Sequence, residues 1–178
     1  VELDGEAQRF FAGCWGIFGH GNIGGVAQGL QEAGPAFPYH LARNEQSMVH
    51  TAIGFAKMSN RRRAFACLTS IGPGDTFAER LQDPVLQQLA SEHDGTLSAS
   101  DAFRPVVRYF DRISRPEQIV ASLPEVMRTL TSPADTGAVC LTIPQDVQTF
   151  AFDFPEELFR ARTWVIPRQR PDETLLAR

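Results

Sequence analysis

At 178 residues the chain is long enough for one domain with a real core, and 43% hydrophobic with 21% charged residues is a globular composition. A formal net charge of −4 argues against a nucleic-acid partner, which calls for a basic surface. No apolar run is long enough to span a bilayer, and the acidic start "VELDGEAQRFF" lacks a signal-peptide layout, so no membrane partner and a cytoplasmic setting are expected.

In chain order, "CWGIF" (14–18) reads as a short buried strand and "GHGNIGG" (19–25) as a glycine-rich turn. "IGGVAQGLQEAG" reads as a helix ending near Gly34, and "PYHLA" (38–42) as a second strand. Residues 44–58 carry the strongest helical pattern, with Asn44 as candidate cap and "NRRR" as the turn beyond. "AFACLTS" (64–70) is a third strand, closed by the sharp turn "IGPG". This alternation predicts an open parallel α/β sheet with helices on both faces.

After Gly74 the pattern breaks, and "DTFAERLQDPVLQQLASEHDG" holds no convincing strand. "RPVVRYF" (104–110) resumes as a strand. "RPEQIVASLPEVMRTLTSP" gives a helix with Pro116 near its first turn and Pro124 as a possible kink. "GAVCLTIP" (137–144) is the last strand; the Pro- and Arg-rich tail from Gln148 reads as a linker wrapping a surface. The domain is therefore placed at 1–147 and the linker at 148–178.

Cys14, Cys67 and Cys140 lie in or beside apolar strand-like runs, with no CxxC spacing. Reduced, buried thiols are expected. His20, His40, His50 and His93 show no HxxxH or HExxH spacing, so no metal site is expected in the chain.

Three motifs point to a ligand. Gly19, Gly21 and Gly24 fit GxGxxG between a strand and a helix, and Glu45 follows at about the spacing of a ribose-binding acid, so a nicotinamide-binding Rossmann protein is one alternative. Against it, Glu45 sits inside a helix rather than at a strand end. "TSIGPG" (69–74) is a second glycine turn at a strand's carboxyl end, where open α/β sheets bind ligands. Glu45 itself shares a helix face with Met48, Val49, Ala52, Ile53 and Ala56, a face expected to be buried. First-turn Glu residues are common, because they favour the helix dipole. A buried carboxylate, however, requires a partner or a protonic role.

The blocks "FGHGN", "ARNEQSMVHTAIGFAKMSNR", "ACLTSIGPG", "DPVLQQL", "YFDRISRPEQ" and "GAVCLTIPQDVQ" resemble the N-terminal part of thiamine-diphosphate-dependent enzymes. Within that family the likeness is greater to the ring-opening cyclic-dione hydrolases of inositol catabolism than to acetolactate synthase, which shares the R-x-E helix start and the T-S-x-G-P-G turn. The resemblance implies a pyrimidine-binding (Pyr) domain and thiamine diphosphate with Mg²⁺ as cofactors. Glu45 aligns with the glutamate that hydrogen-bonds N1′ of the cofactor's aminopyrimidine and promotes the imino tautomer that takes the C2 proton. The resemblance further implies that Ser70, Gly72 and Gly74 line the cofactor side of the turn. His20 and Asn22 would face a small cyclic polyol dione, with His20 also a candidate for proton transfer.

Two departures accompany it. The family places a helix and an apolar strand between the GPG turn and the DTFAER-like segment, whereas here Gly74 joins Asp75 directly. The diphosphate- and Mg²⁺-binding domain and the middle domain have no counterpart in these residues. The resemblance then implies that this stretch alone is inactive and that the intact enzyme is a homo-oligomer, dimer or tetramer, with the cofactor between subunits. A non-catalytic Pyr-like assembly domain is the remaining alternative.

Overall fold

The computed structural model describes residues 1–17, 19–70, 93–94, 97–167 and 171–177. It opens with an antiparallel hairpin, β1 (Glu2–Leu3) and β2 (Glu6–Ala7). Asp4 and Gly5 turn it at φ 56° and 81°. Two-residue hairpin turns with positive φ at both positions favour Asp-Gly, a signal the acidic character of this stretch obscures.

β3 (Phe11–Gly16), β4 (Tyr39–Leu41) and β5 (Ala64–Leu68) form a parallel sheet in the order β4-β3-β5. Cys14 stands opposite both Tyr39 and Ala66. From β3 the chain passes through a 3₁₀ turn (His20–Asn22) and a π-helical turn (Ile23–Ala27) into α1 (Gln28–Ala33). Gly34 stops α1 at φ 49°, a conformation open to glycine at little cost.

α2 (Glu45–Met58) begins as its cap predicts: Asn44 Oδ1 accepts from the Ser47 amide at 2.7 Å. It ends on Asn60 at φ 49°, with Arg61 N bonded to Ala56 O and Asn60 N to Lys57 O. That closure satisfies carbonyls the last turn leaves unpaired. Phe55 of α2 packs on Phe65 of β5, with Trp15 and His40 on the same face.

A second parallel unit follows. β6 (Tyr109–Arg112), α3 (Ile119–Thr131) and β7 (Val139–Thr142) make a β-α-β crossover, with Tyr109 opposite Val139 and Arg112 opposite Thr142. α3 runs through Pro124 and buries Ser122, Val126, Thr129 and Thr131. The strand expected from residue 104 starts later, because Ala99–Val106 is a 3₁₀ helix. Its capping box outweighs the apolar pair Val106–Val107: Ser98 Oγ takes the Ser100 amide and Asp101 Oδ2 takes the Ser98 amide.

Asp101 also accepts from Arg104 Nε at 2.6 Å and Arg112 Nη2 at 3.2 Å. Burial alone would raise its carboxyl, but the Arg104, Ser98 and Arg112 hydrogen bonds outweigh burial and hold it down at about 2.

Among the described residues no ladder joins the three-stranded sheet to the β6-β7 pair. Residues 71–92, which contain the Gly74–Asp75 junction between β5 and β6, lie outside the described residues. The described architecture is open parallel α/β, with helices packed on the strands. The tail returns to the start of the chain: Glu2 N donates to Trp164 O at 2.9 Å and Ile166 N to Glu2 O at 2.8 Å, bridging Glu2 and Val165. A last short helix, α4, spans Glu173–Leu176. Among the described residues no helix is long and apolar enough to cross a membrane.

Candidate functional site

The carboxyl ends of β3, β5 and β7 and the first turn of α2 are joined by side chains. Asn22, in the turn after β3, is 7% exposed. Its Nδ2 donates to Thr69 O, just beyond β5, at 3.0 Å. Thr69 Oγ1 donates to Glu45 Oε1 at 3.2 Å. On the other side Gln148 Nε2 reaches Gly21 O at 2.9 Å, Ile143 O at 3.0 Å and Asn22 Oδ1 at 3.4 Å, while its Oε1 accepts the Val26 amide at 3.1 Å.

Glu45 is exposed, which corrects the expectation of a buried face. Met48 is buried and Ala52, Phe55 and Ala56 are half-buried, whereas Val49 and Ile53 are 42% and 43% exposed. The periodicity locates Glu45 on the Met48–Ala52 column correctly. It is silent on height along the helix: the first turn stands at the rim, where only Thr69 reaches the carboxylate among the described side-chain bonds. Among the described residues Glu45 is thus held through one oxygen.

Ser70 packs against Gly19, where an added Cβ would lie 2.4 Å from Ser70 Cβ. Gly25 yields in the same way to Gln148, at 2.5 Å from its Cβ. Gly19 and Gly25 therefore serve close packing within the chain. Glu45 stands in the first turn of α2 and not at the end of β4, which argues against a ribose-binding acid. His20 opens the 3₁₀ turn that contains Asn22. Gly72 and Gly74 lie outside the described residues.

Gln148 is the residue sequence reasoning missed. It stands at the boundary drawn between domain and tail, 126 positions from Asn22. The signal available was its place in "IPQDVQ", directly after the last strand.

The cysteines carry no nucleophile here. Cys14 is buried, and burial, with the Cys67 thiol adding, pushes its thiol up to about 11. Burial also raises the thiols of Cys67 and Cys140. All three are free, but as residues Cys67 is exposed and Cys140 half-buried, so full burial describes Cys14 alone. Thiols raised in this way stay protonated at neutral pH. Among the described residues no three His, Cys, Asp or Glu side chains gather as a metal site.

A parallel sheet with a helix-borne carboxylate at its carboxyl strand ends makes this an α/β domain of the open-sheet kind, whose strand ends are where such sheets bind ligands. No protein-family model matches the chain. Over nearly all its length it is similar to proteins named 3D-(3,5/4)-trihydroxycyclohexane-1,2-dione hydrolase. It is 43% identical over 200 residues to the one from Bacillus thuringiensis (strain Al Hakam), covering 99% of this chain and 31% of the relative. It is 44% identical over 194 residues to the one from Geobacillus thermodenitrificans (strain NG80-2), covering 96% of this chain and 30% of the relative. The chain thus spans just under a third of the curated relatives it matches.

The first match is 200 positions long and the chain has 178 residues, so at least 22 of those positions hold no residue of this chain. That deficit has the size of one helix, one strand and their connections, roughly 20–25 residues.

Proposed function

We propose that the chain is the pyrimidine-binding domain of a thiamine-diphosphate-dependent hydrolase. That enzyme opens the ring of 3D-(3,5/4)-trihydroxycyclohexane-1,2-dione by C–C cleavage and yields 5-deoxyglucuronic acid. The observation that carries the reading is 43% identity over 99% of the chain to proteins bearing that hydrolase name.

The site fits the cofactor's pyrimidine. A ring nitrogen that must share a proton needs a carboxylate it can reach, and Glu45 is exposed with Oε1 already oriented by Thr69. When bound, thiamine diphosphate supplies the carbon nucleophile and electron sink for C–C cleavage. Glu45 holds and returns a proton at the pyrimidine nitrogen, the acid–base role a positioned carboxylate can fill. Ser70 is assigned to the cofactor side, as are Gly72 and Gly74 outside the described residues; the Gly19–Ser70 contact brings the turn after β3 to the end of β5. His20 and Asn22 are assigned to the substrate side. Among the described residues Asn22 Nδ2 bonds only Thr69 O, and its second hydrogen suits one further acceptor.

The diphosphate and Mg²⁺ are assigned to a domain outside these residues, and the active form to a homo-oligomer. Val49 and Ile53, exposed beside Glu45, support a second subunit closing over this rim. Calorimetric titration of the full-length protein with thiamine diphosphate and Mg²⁺, and separately with NAD, tests the reading. Saturable thiamine diphosphate binding and ring opening of the dione are expected. NAD binding without thiamine diphosphate binding would overturn it.

A further inference from the structure

The His20–Asn22 turn closes with Asn22 N bonded to Gly19 O at 3.2 Å and runs directly into the π-helical turn Ile23–Ala27. Further bonds reach it from across the molecule. Gln148 spends both hydrogens of its carboxamide nitrogen on Gly21 O and Ile143 O, with Asn22 Oδ1 as a longer third acceptor. Its oxygen holds the Val26 amide. One side chain thus ties Gly21 and Asn22 of the 3₁₀ turn and Val26 of the π-helical turn to the end of β7.

The clamp stands on a buried base. Val147, the neighbour of Gln148, is 3% exposed, and the pair lies in the 3₁₀ turn Val147–Thr149. Gly25 accepts the Gln148 side chain at a separation no Cβ could share, and Gly24 faces Thr149. From Asn22 the bonds continue through Thr69 to Glu45.

We propose that Gln148 is a positioning residue of this site, setting the His20–Asn22 turn and, through Asn22 and Thr69, the carboxylate of Glu45. Its hydrogen bonds to Gly21, Asn22, Val26 and Ile143 all run within the chain. The proposal rests on the functional reading above, but its structural half does not.

The test uses the full-length protein with Gln148→Met, which keeps length and bulk but removes every polar bond, and Gln148→Asn, which withdraws the carboxamide by one methylene. Two measurements are made on each: amide hydrogen exchange across residues 20–26 without cofactor, and kcat, KM and thiamine diphosphate affinity with it. The expected result is at least tenfold faster exchange at Val26 in both variants. With it, kcat should fall about 10- to 100-fold, the loss a small misplacement of reacting groups produces, while cofactor affinity changes less than about threefold. Unchanged exchange in the variant that folds would overturn the clamp. Faster exchange with unchanged kcat and KM would overturn the positioning role. Failure of the wild-type protein to bind thiamine diphosphate would overturn the functional reading and the catalytic half with it, while the exchange result still decides the clamp.

Discussion

Thr69 Oγ1 donates a hydrogen bond to Glu45 Oε1 at 3.2 Å, so the residue just after β5 sets the direction of a carboxylate on the first turn of α2. The same residue accepts, through its carbonyl, from buried Asn22. A single residue therefore couples the two strand-end turns to the one exposed acid between them.

Removing only the hydroxyl isolates that coupling. Thr69→Val should lower kcat/KM of the full-length enzyme about tenfold, the usual size of one lost orienting hydrogen bond to a charged group, about 1.5 kcal/mol. Thr69→Ser keeps the donor and should stay within about threefold of wild type. Steady-state kinetics on the dione provide the check; a loss in Thr69→Ser with none in Thr69→Val would show that the methyl, not the hydroxyl, matters.

Glycine positions should divide by what lies beyond them. Gly19→Ala drives a Cβ into Ser70 and should cost about 1–3 kcal/mol, the range for overpacking. Gly29→Ala, in α1 with nothing within 4 Å, should gain about 0.4–1 kcal/mol. Urea denaturation of the two variants measures both signs.

The Asp101 cluster predicts an acid-sensitive element. Its folded pKa, about 2, lies below the ordinary carboxylate value of 3.8. The stabilisation is therefore fully present above about pH 4 and is lost as pH falls through the interval down to about 2. Asp101→Asn should be less stable than wild type at pH 6, and the gap should narrow as pH falls from 4 to 2. Denaturant midpoints across that range test it; a gap that stays constant would contradict the assignment.

Local chemistry made most of the fold readable. Asn44 capped α2 as its side chain requires, Gly34 stopped α1 at a positive φ, and Ala64–Leu68 paired as its apolar run implies. The failures share a cause, since each depended on partners distant in sequence or in height. Glu45 lay on the expected helix column but above the sheet's rim. "RPVVRYF" began as a 3₁₀ helix because Ser98 and Asp101 capped it from upstream. Gln148 sits in "IPQDVQ" directly after the last strand, but that local setting does not disclose its partner Asn22, 126 positions away.

Glu45 is proposed to exchange a proton with a bound cofactor ring. Its direct test is the rate at which C2 of thiamine diphosphate exchanges its proton for deuterium when bound to the full-length protein, wild type against Glu45→Gln. Because Glu45 is exposed, the variant should fold normally, losing at most the dipole contribution of a first-turn acid, about 0.3–1 kcal/mol. Exchange should slow by about 10²- to 10⁴-fold, the span of general acid–base contributions. An unchanged exchange rate in a folded, cofactor-bound Glu45→Gln protein would contradict the account.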